Sequence, residues 1–300
     1  MNTSSVTLVT HNGKFHSDDI FACATLKLLL QKQNISFTVE RTRDEQIINL
    51  GTYVFDVGGI YNPEQKRFDH HQIGGAGNRE NGTPYAAFGL VWKEYGAQVC
   101  GSDAIASFLD NRLVAPIDAE DNGMSICSMH GDISPYKIQD VFASFRPTWK
   151  EGYTDEEYMK QFLYAVDLAV IILEREIAWH KDAEQARDLF NADYEKRMHD
   201  QIIVLSDQYP WELFAHEHED ILFVVYPRCD VWRAGTIRKE KFSFENKKDF
   251  PIAWAGLRDA DLQRVTGVPD AIFCHNARFL AVAKSKQGAI QLAEKALAEN

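Results

Sequence analysis

The feature that most constrains the fold is an alternation of short apolar runs and helical patterns over the first 55 residues. Strand, helix, strand, helix and strand in so short a span is the pattern of a parallel sheet with right-handed crossovers. We therefore predict an α/β fold for this part of the chain. The predicted strands cover residues 6–9, 36–39 and 52–55, and the predicted helices cover 18–33 and 45–50.

Imidazole and carboxylate side chains follow these apolar runs at the points where the runs end. In parallel sheets those ends share one edge, where ligands bind. Unpaired neighbouring carboxylates repel and raise one another's pKa, whereas Mn²⁺, Fe²⁺, Zn²⁺ or Mg²⁺ would accept such donors. Two cations about 3.5–4 Å apart can share one aspartate and stabilise an in-line displacement at phosphorus. The groups are His11 with His16 and Asp18, then Asp56, then Asp69-His70-His71, then Asp118 with Asp121.

The composition narrows the class of protein. A net charge of −12 counts against a broad surface for nucleic acid, although it permits a local basic groove. The five cysteines are widely spaced and form no Cys-x-x-Cys pair, which favours a reducing compartment over a thiolate zinc site. No apolar run reaches 18 residues and the first five residues carry no basic patch. We therefore expect a cytoplasmic protein that does not act on membranes.

The middle of the chain predicts helices and a connector. Thr83-Pro84 predicts the start of a helix that runs to about residue 95, and a second helix covers 102–112. The Asn-Gly turn and lone acids over 116–123 predict a loop. Residues 154–199 contain no Gly or Pro and open with a capping box, which predicts one long helix or two.

The last hundred residues have the texture of an α+β domain. Strands are predicted over 202–205, 221–226, 231–237, 271–274 and 279–283, and helices over 259–265 and 287–298. We predict three parts: a metal-binding domain over 1–150, a helical connector over 151–200 and a substrate-binding domain over 201–300.

A basic run within this last part has two interpretations. It is either a solvated charged hairpin or a track of cations for the phosphates of a strand. The tyrosines and phenylalanines show no stacking-module pattern, Trp211 is expected in the core or an interface, and residues 216–220 predict an exposed loop. The basic residues are Arg228, Arg233, Arg238, Lys239, Lys241, Lys247 and Lys248.

The motifs resemble those of the DHH phosphoesterase superfamily, which is named for the triplet at 69–71. Within it, residues 10–16, 118–123 and 254–258 resemble the melanocyte proliferating gene family, and the resemblance covers nearly the whole chain. It implies a DHH-type α/β domain followed by a smaller substrate-binding domain. Two motifs depart from the superfamily: His16 replaces the first aspartate of the first motif, and residues 281–284 replace a glycine-glycine-histidine segment.

The resemblance implies a phosphodiester hydrolase with two divalent cations, with Mn²⁺ first and Mg²⁺ or Zn²⁺ as alternatives. We expect a 3′–5′ exonuclease for single-stranded RNA or short oligonucleotides, with Asp56 bridging the cations, His71 facing the phosphoryl group and Asp69 orienting a histidine. The expected ligands are His11, His16, Asp18, Asp56, His70 and Asp121, with Asp118 as the alternative to Asp121. The expected substrate contacts are Arg233, Arg238, Arg258, His275 and Lys284.

Two alternatives stay open. The same metals could serve a small-molecule phosphatase, a pyrophosphatase or a cyclic-dinucleotide hydrolase, which the acidic net charge favours. A non-catalytic metal-dependent binding protein is the second alternative, and it would have no open coordination position. The sequence leaves a homo-oligomer open.

Overall fold

The protein is described by a computed structural model over residues 6–152, 154–197, 199–240 and 243–299. Its α/β chain carries two five-stranded sheets and forms two compact units, up to residue 180 and from residue 181 onward. The three-part division at residues 150 and 200 stays a prediction. In the described parts of the chain, no helix combines the length and the apolar character that a membrane span requires.

The sheet of the first unit has the order β2-β1-β3-β5-β4. Strands β2, β1, β3 and β5 are parallel, and the short β4 pairs antiparallel with β5 at the edge. This confirms the predicted parallel α/β arrangement. Sequence patterns missed β4, β5 and a short helix over Ile138–Ala143. The strands are β1 (Val6–Thr10), β2 (Phe37–Arg41), β3 (Tyr53–Phe55), β4 (Tyr61–Asn62) and β5 (Arg67–Phe68).

Helix α1 is the centre of the first core, since its residues from Ser17 to Leu26 are all buried. It packs against α3, where the rings of Phe21 and Phe88 stack with centroids 5.1 Å apart. The helices are α1 (Ser17–Lys32), α2 (Glu45–Leu50), α3 (Ala87–Cys100), α4 (Asp103–Leu109), α5 (Ala115–Asp121), α6 (Ile138–Ala143) and α7 (Asp155–Glu195).

Two predicted features of the middle segment are wrong. Thr83 does not cap a helix, because its carbonyl accepts the Arg79 N–H and an antiparallel bridge holds Pro84 extended, so α3 starts at Ala87. Residues 116–121 are helical instead of a loop. A π-turn over Asp110–Val114 joins α4 to α5, and this wider turn accommodates the proline that follows it.

The long segment after residue 154 is one helix of 41 residues, α7, and the Thr154 hydroxyl accepts the Glu157 N–H as the capping box predicts. All five strands predicted for the last hundred residues are present, in the order β6-β7-β8-β10-β9. One face of this sheet packs on α9. The elements are β6 (Ile202–Val204), β7 (Phe223–Arg228), β8 (Val231–Thr236), β9 (Ala271–Cys274), β10 (Leu280–Ala283), α8 (Asp259–Thr266) and α9 (Lys286–Ala298).

Candidate metal centre

Three neighbouring strands of the first sheet end in histidine or aspartate side chains, which are types that can bind metal ions. His11 follows β1, Asp56 follows β3 and Asp69 follows β5, and these strands are adjacent in the sheet. Because the strands are parallel, their carboxyl ends meet at one edge. The side chains predicted from strand ends are therefore brought together there.

Short distances link the histidines and acids. His11 Nε2 lies 3.1 Å from an Asp56 oxygen, and His70 Nε2 lies 3.4 Å from the other Asp56 oxygen and 3.3 Å from Asp121. Three groups have ligand atoms within 4.8 Å of one another, and Asp56 and His16 each belong to two of them. The groups are Asp56, Asp69, His70 and His71; His11, His16 and Asp56; and His16, Asp18 and Asp121.

Asp56 is held in an unusual backbone conformation. Its φ of +53° lies in the left-handed region, which costs most L-residues about 1–2 kcal/mol although aspartate visits it more readily. The residue is 3% exposed, and its two oxygens lie 3.1 Å from His11 Nε2 and 3.4 Å from His70 Nε2. The pKa of its carboxyl is low because those histidines outweigh the opposing effect of burial. The turn places the charged carboxylate of Asp56 between His11 and His70.

Asp69 organises the triplet rather than facing solvent. One of its oxygens accepts the Gly59 N–H at 2.6 Å, and the other accepts the His70 N–H at 2.7 Å and His71 Nδ1–H at 2.8 Å. A histidine that donates one ring nitrogen to a carboxylate is fixed in orientation and tautomer. The other ring nitrogen of His71, Nε2, is not used in this contact with Asp69. The orientation of His11 is fixed in the same way, because its Nδ1 donates to the Asn12 carbonyl at 3.0 Å.

Asp18 is the strongest indication that a cation belongs here. Both of its carboxylate oxygens are buried, and neither has a hydrogen-bond partner in the described part of the chain. Burial, and then the nearby charges of Asp56 and Asp121, raise its pKa well above the usual range. A bound divalent ion would compensate this concentration of negative charge. The donor set therefore fits a divalent metal.

Asp19 belongs to the site, although the sequence pattern marks it only as a favourable charge at a helix start. One oxygen accepts the His16 N–H at 2.9 Å and the other lies 3.3 Å from His11 Nε2. Burial raises its pKa to about 7. The signal in the sequence was its position three residues after His16, where a side chain can reach back to the helix start.

Asp118 is separated from these groups. Its carboxylate forms an ion pair with Arg79 at 2.8 Å and accepts the Gly89 N–H at 3.0 Å. Gly89 leaves no room for a side chain, since a Cβ there would lie 1.8 Å from an Asp118 oxygen. Asp121, one turn later on α5, is the acid that approaches His70. Of the two alternatives, Asp121 is the one beside the cluster.

The cluster opens into a cleft of about 880 Å³. Arg146 lines the cleft, and its Nε donates to the Phe15 carbonyl at 2.8 Å. Lys137 also lines it, but its ammonium pairs with Glu120 at 2.6 Å. Arg146, which no sequence motif indicated, thus brings a guanidinium to the wall of the cleft, which Arg43 also lines.

The predicted substrate contacts lie in the second unit and form no single group. Arg233 and Arg238 line one cavity. Arg258 lies over the Phe273 ring at 4.4 Å, His275 Nδ1 accepts the Ala277 N–H at 3.0 Å, and Lys284 follows β10.

The basic run is divided by its contacts. Lys239 pairs with Glu245 at 2.9 Å, while Lys247 and Lys248 donate to the carbonyls of His218 and Leu297. Arg228 is exposed at the end of β7, and Lys241 lies outside the described residues. Arg233 and Arg238 are therefore the two members of the run that share the cavity described above. The segment 216–220 adds no second metal group among the described residues.

Comparison with known proteins identifies the family to which the chain belongs. The family model MYG1_exonuc, described as an uncharacterised protein family (UPF0160), matches residues 7–297. The chain belongs to this family. It is 31% identical to the MYG1 exonuclease of Rattus norvegicus over 97% of this chain and 84% of the relative. It is 32% identical to the MYG1 protein of Chlamydia trachomatis over 93% of this chain and 92% of the relative.

The resemblance of the motifs to the melanocyte proliferating gene family, which is the MYG1 family, is thereby confirmed. The MYG1 exonuclease of Homo sapiens is 30% identical over 97% of this chain and 85% of its own length. These names support a nuclease function at the level of the family.

Proposed function

We propose that this chain is a metal-dependent phosphodiester hydrolase that acts as a 3′–5′ exonuclease on single-stranded RNA or short oligonucleotides. The observation that carries the proposal is the position of Asp56. It is shared by two histidine-containing groups at the edge of one cleft, as a bridging acid between two cations would be. The MYG1 exonuclease relatives support the choice of reaction.

Six side chains would hold two divalent cations. Their mixed imidazole and carboxylate donors suit Mn²⁺, with Mg²⁺ or Zn²⁺ as alternatives. When bound, the cations would polarise the phosphoryl group and favour ionisation of water near neutral pH. The proposed ligands are His11, His16, Asp18, Asp56, His70 and Asp121.

The remaining groups would handle the proton and the phosphate charge. Asp69 holds His71 by Nδ1, so Nε2 is the atom that can give a proton to the leaving oxygen. Arg146 would neutralise a phosphate oxygen, since its Nε is already fixed on Phe15 and its terminal nitrogens are left for the substrate. Both side chains line the cleft.

A small-molecule phosphoesterase is the second candidate, because the net charge is −12 and Lys137 at the cleft wall is neutralised by Glu120. A pyrophosphate or cyclic dinucleotide would depend mainly on the metals. A non-catalytic metal-binding protein is the remaining alternative.

The test is cleavage of RNA labelled at its 5′ end, with Mn²⁺, with Mg²⁺ and with a chelator. A 3′–5′ exonuclease shortens the labelled strand stepwise, and a 3′-terminal block stops it. Pyrophosphate and a cyclic dinucleotide are assayed in parallel with the same metals. Faster turnover of either one than of RNA would favour the small-molecule enzyme, and metal binding without any turnover would favour the binding protein.

A further inference from the structure

A second cavity, of about 520 Å³, lies in the second unit on the sheet face opposite α9. Its size is within the range of about 300–1,000 Å³ that small-molecule sites occupy. Trp211 and Tyr226 form part of its wall, with ring centroids 5.5 Å apart. Phe244 and Phe279 line it as well, and they are 89% and 42% exposed. Four aromatic rings distant in sequence thus surround one space.

A glycine keeps part of this space open. Gly235 lines the cavity, and a Cβ there would lie 3.3 Å from the Trp211 ring and 3.4 Å from the Tyr226 ring. A methyl group there would press lightly on the Trp211 ring and touch the Tyr226 ring. The two rings are tilted by 52° to each other and, with the bare backbone of Gly235, form an apolar wall on which a planar ligand could lie against one ring face.

Polar side chains also line this cavity. Arg233 Nε and His216 Nδ1 are both buried, and neither has a hydrogen-bond partner in the part of the chain that the structure describes. A buried polar group without a partner costs about 1–3 kcal/mol, so a partner from a ligand would relieve the cost. Arg238 lies at the rim with its guanidinium 5.0 Å from the Phe244 ring centre. The cavity therefore combines aromatic faces with two guanidinium groups and one carboxyl group, that of Glu212.

We propose that this cavity binds one nucleotide, with the base against the aromatic rings and the phosphate at the arginines. Every base has a face that stacks on aromatic rings, while a guanidinium pairs with phosphate oxygens. A purely apolar ligand would leave Arg233 Nε and His216 Nδ1 without a partner, and a phosphate alone would not use the rings. The inference rests on the proposed nuclease function, for which it identifies a base-binding site separate from the metal-ligand cluster.

The test is calorimetric titration of the full chain with adenosine 5′-monophosphate in the presence of a chelator. Metal-independent binding should be seen, and ribose 5-phosphate, which lacks the base, should bind at least about tenfold more weakly. Phe244→Ala should weaken the nucleotide about tenfold, since stacking on one ring is worth about 1–3 kcal/mol per base. Ile252→Ala, a matched control that is 75% exposed in the same unit, should bind as the unaltered chain does.

Two outcomes would overturn the inference: equal affinity for ribose 5-phosphate, or unchanged nucleotide affinity after Phe244→Ala. An unaltered melting curve for the variant shows that weaker binding does not come from unfolding. The proposed function is judged separately by metal-dependent cleavage. Cleavage without nucleotide binding under chelation would support the proposed enzyme and contradict nucleotide binding in the cavity. Nucleotide binding without cleavage would support the cavity as a nucleotide site and contradict the proposed enzyme activity.

Discussion

The charged cleft of the first unit and the aromatic cavity of the second are built in opposite ways. The cleft draws on short motifs at strand ends, so that His11, Asp56 and His70 are each recognisable in a few residues of sequence. The cavity draws single residues from Trp211 to Phe279, on different elements and with no motif between them. Charged side chains that gather at one sheet edge can be predicted from a sequence, whereas aromatic rings that gather around one cavity become visible only in the fold.

The largest expected effect distinguishes the two regions by removing one charge. Asp56→Asn keeps the shape of the side chain but deletes the charge proposed to lie between two cations. We expect kcat/KM to fall by about a thousandfold or more, which is about 4 kcal/mol of transition-state stabilisation. Nucleotide binding in the second unit should not change. Steady-state kinetics, elemental analysis and titration measure these three outcomes.

Glu120→Gln is the matched control, since Glu120 bonds to Lys137 at the cleft wall instead of the histidines. It should alter turnover less than about threefold, well below 1 kcal/mol. Near-normal turnover of Asp56→Asn with two metals bound would show that another residue is the bridge.

The next effect separates Asp118 from the proposed ligands. Arg79→Met leaves the buried Asp118 carboxylate without its cation, and breaking such a pair costs about 3–5 kcal/mol of unfolding free energy. Arg112→Met, which removes an exposed arginine paired with Glu176, should cost at most about 1 kcal/mol. Denaturant unfolding measures both. Equal, small losses would mean that Asp118 does not depend on Arg79, and would return it to the candidate ligands.

Metal removal should change stability in a pH-dependent way. A metal at one hundred times its dissociation constant stabilises the chain by about 2.7 kcal/mol. Burial lowers the pKa of His70, but the adjacent carboxylates of Asp121 and Asp56 prevail and raise it from 6.5 to about 10. A raised folded-state pKa contributes stability below 6.5 that is lost as pH rises through about 10. The chelated protein should therefore lose stability over that window.

The stabilisation by added Mn²⁺ should grow over the same window, because the metal must displace the proton on His70. Melting curves with and without chelator at several pH values test both trends. A midpoint indifferent to Mn²⁺ at every pH, together with no metal by elemental analysis, would remove the metal centre.

The smallest expected effect concerns the second unit. Arg233→Ala combined with Arg238→Ala should slow the cleavage of oligonucleotides about fivefold to tenfold while hardly affecting a small chromogenic phosphodiester. The log–log salt slope should fall by about one for each phosphate that the variant no longer neutralises. Arg264→Ala, an exposed arginine on α8, is the control. Equal losses on both substrates would assign these arginines to the fold, and no loss would return the basic run to a solvated hairpin.

Hydrophobic periodicity was sufficient for the elements with strong patterns. The three strands of the first 55 residues and all five strands of the last hundred were predicted because each is an apolar run bounded by turn residues. The short strands β4 and β5 have only two residues each and carry no such pattern. The wrong prediction of a loop over 116–121 came from its lone acids and the Asn-Gly turn, although that turn begins only at Asn122, where α5 has ended.

The candidate metal centre was predicted from residue types at strand ends, while its supporting groups were not. Asp19 was overlooked because an acid in a first helical turn has an ordinary explanation in the helix dipole. Arg146 lies 131 residues from the Phe15 carbonyl that it contacts, and no local pattern joins the two. The aromatic cavity was missed for the same reason.

The contact of Arg79 with Asp118 also determines how α5 is rotated about its axis. Asp118 and Asp121 are three residues apart, so they project from nearly the same side of the helix. A slip of one residue would rotate both by about 100° and carry Asp121 away from His70. The contacts of Asp118 with Arg79 and with the backbone of Gly89 therefore fix the rotation of α5 about its axis. Any exchange of α5 between proteins would have to transfer these contacts together with the acid that they align.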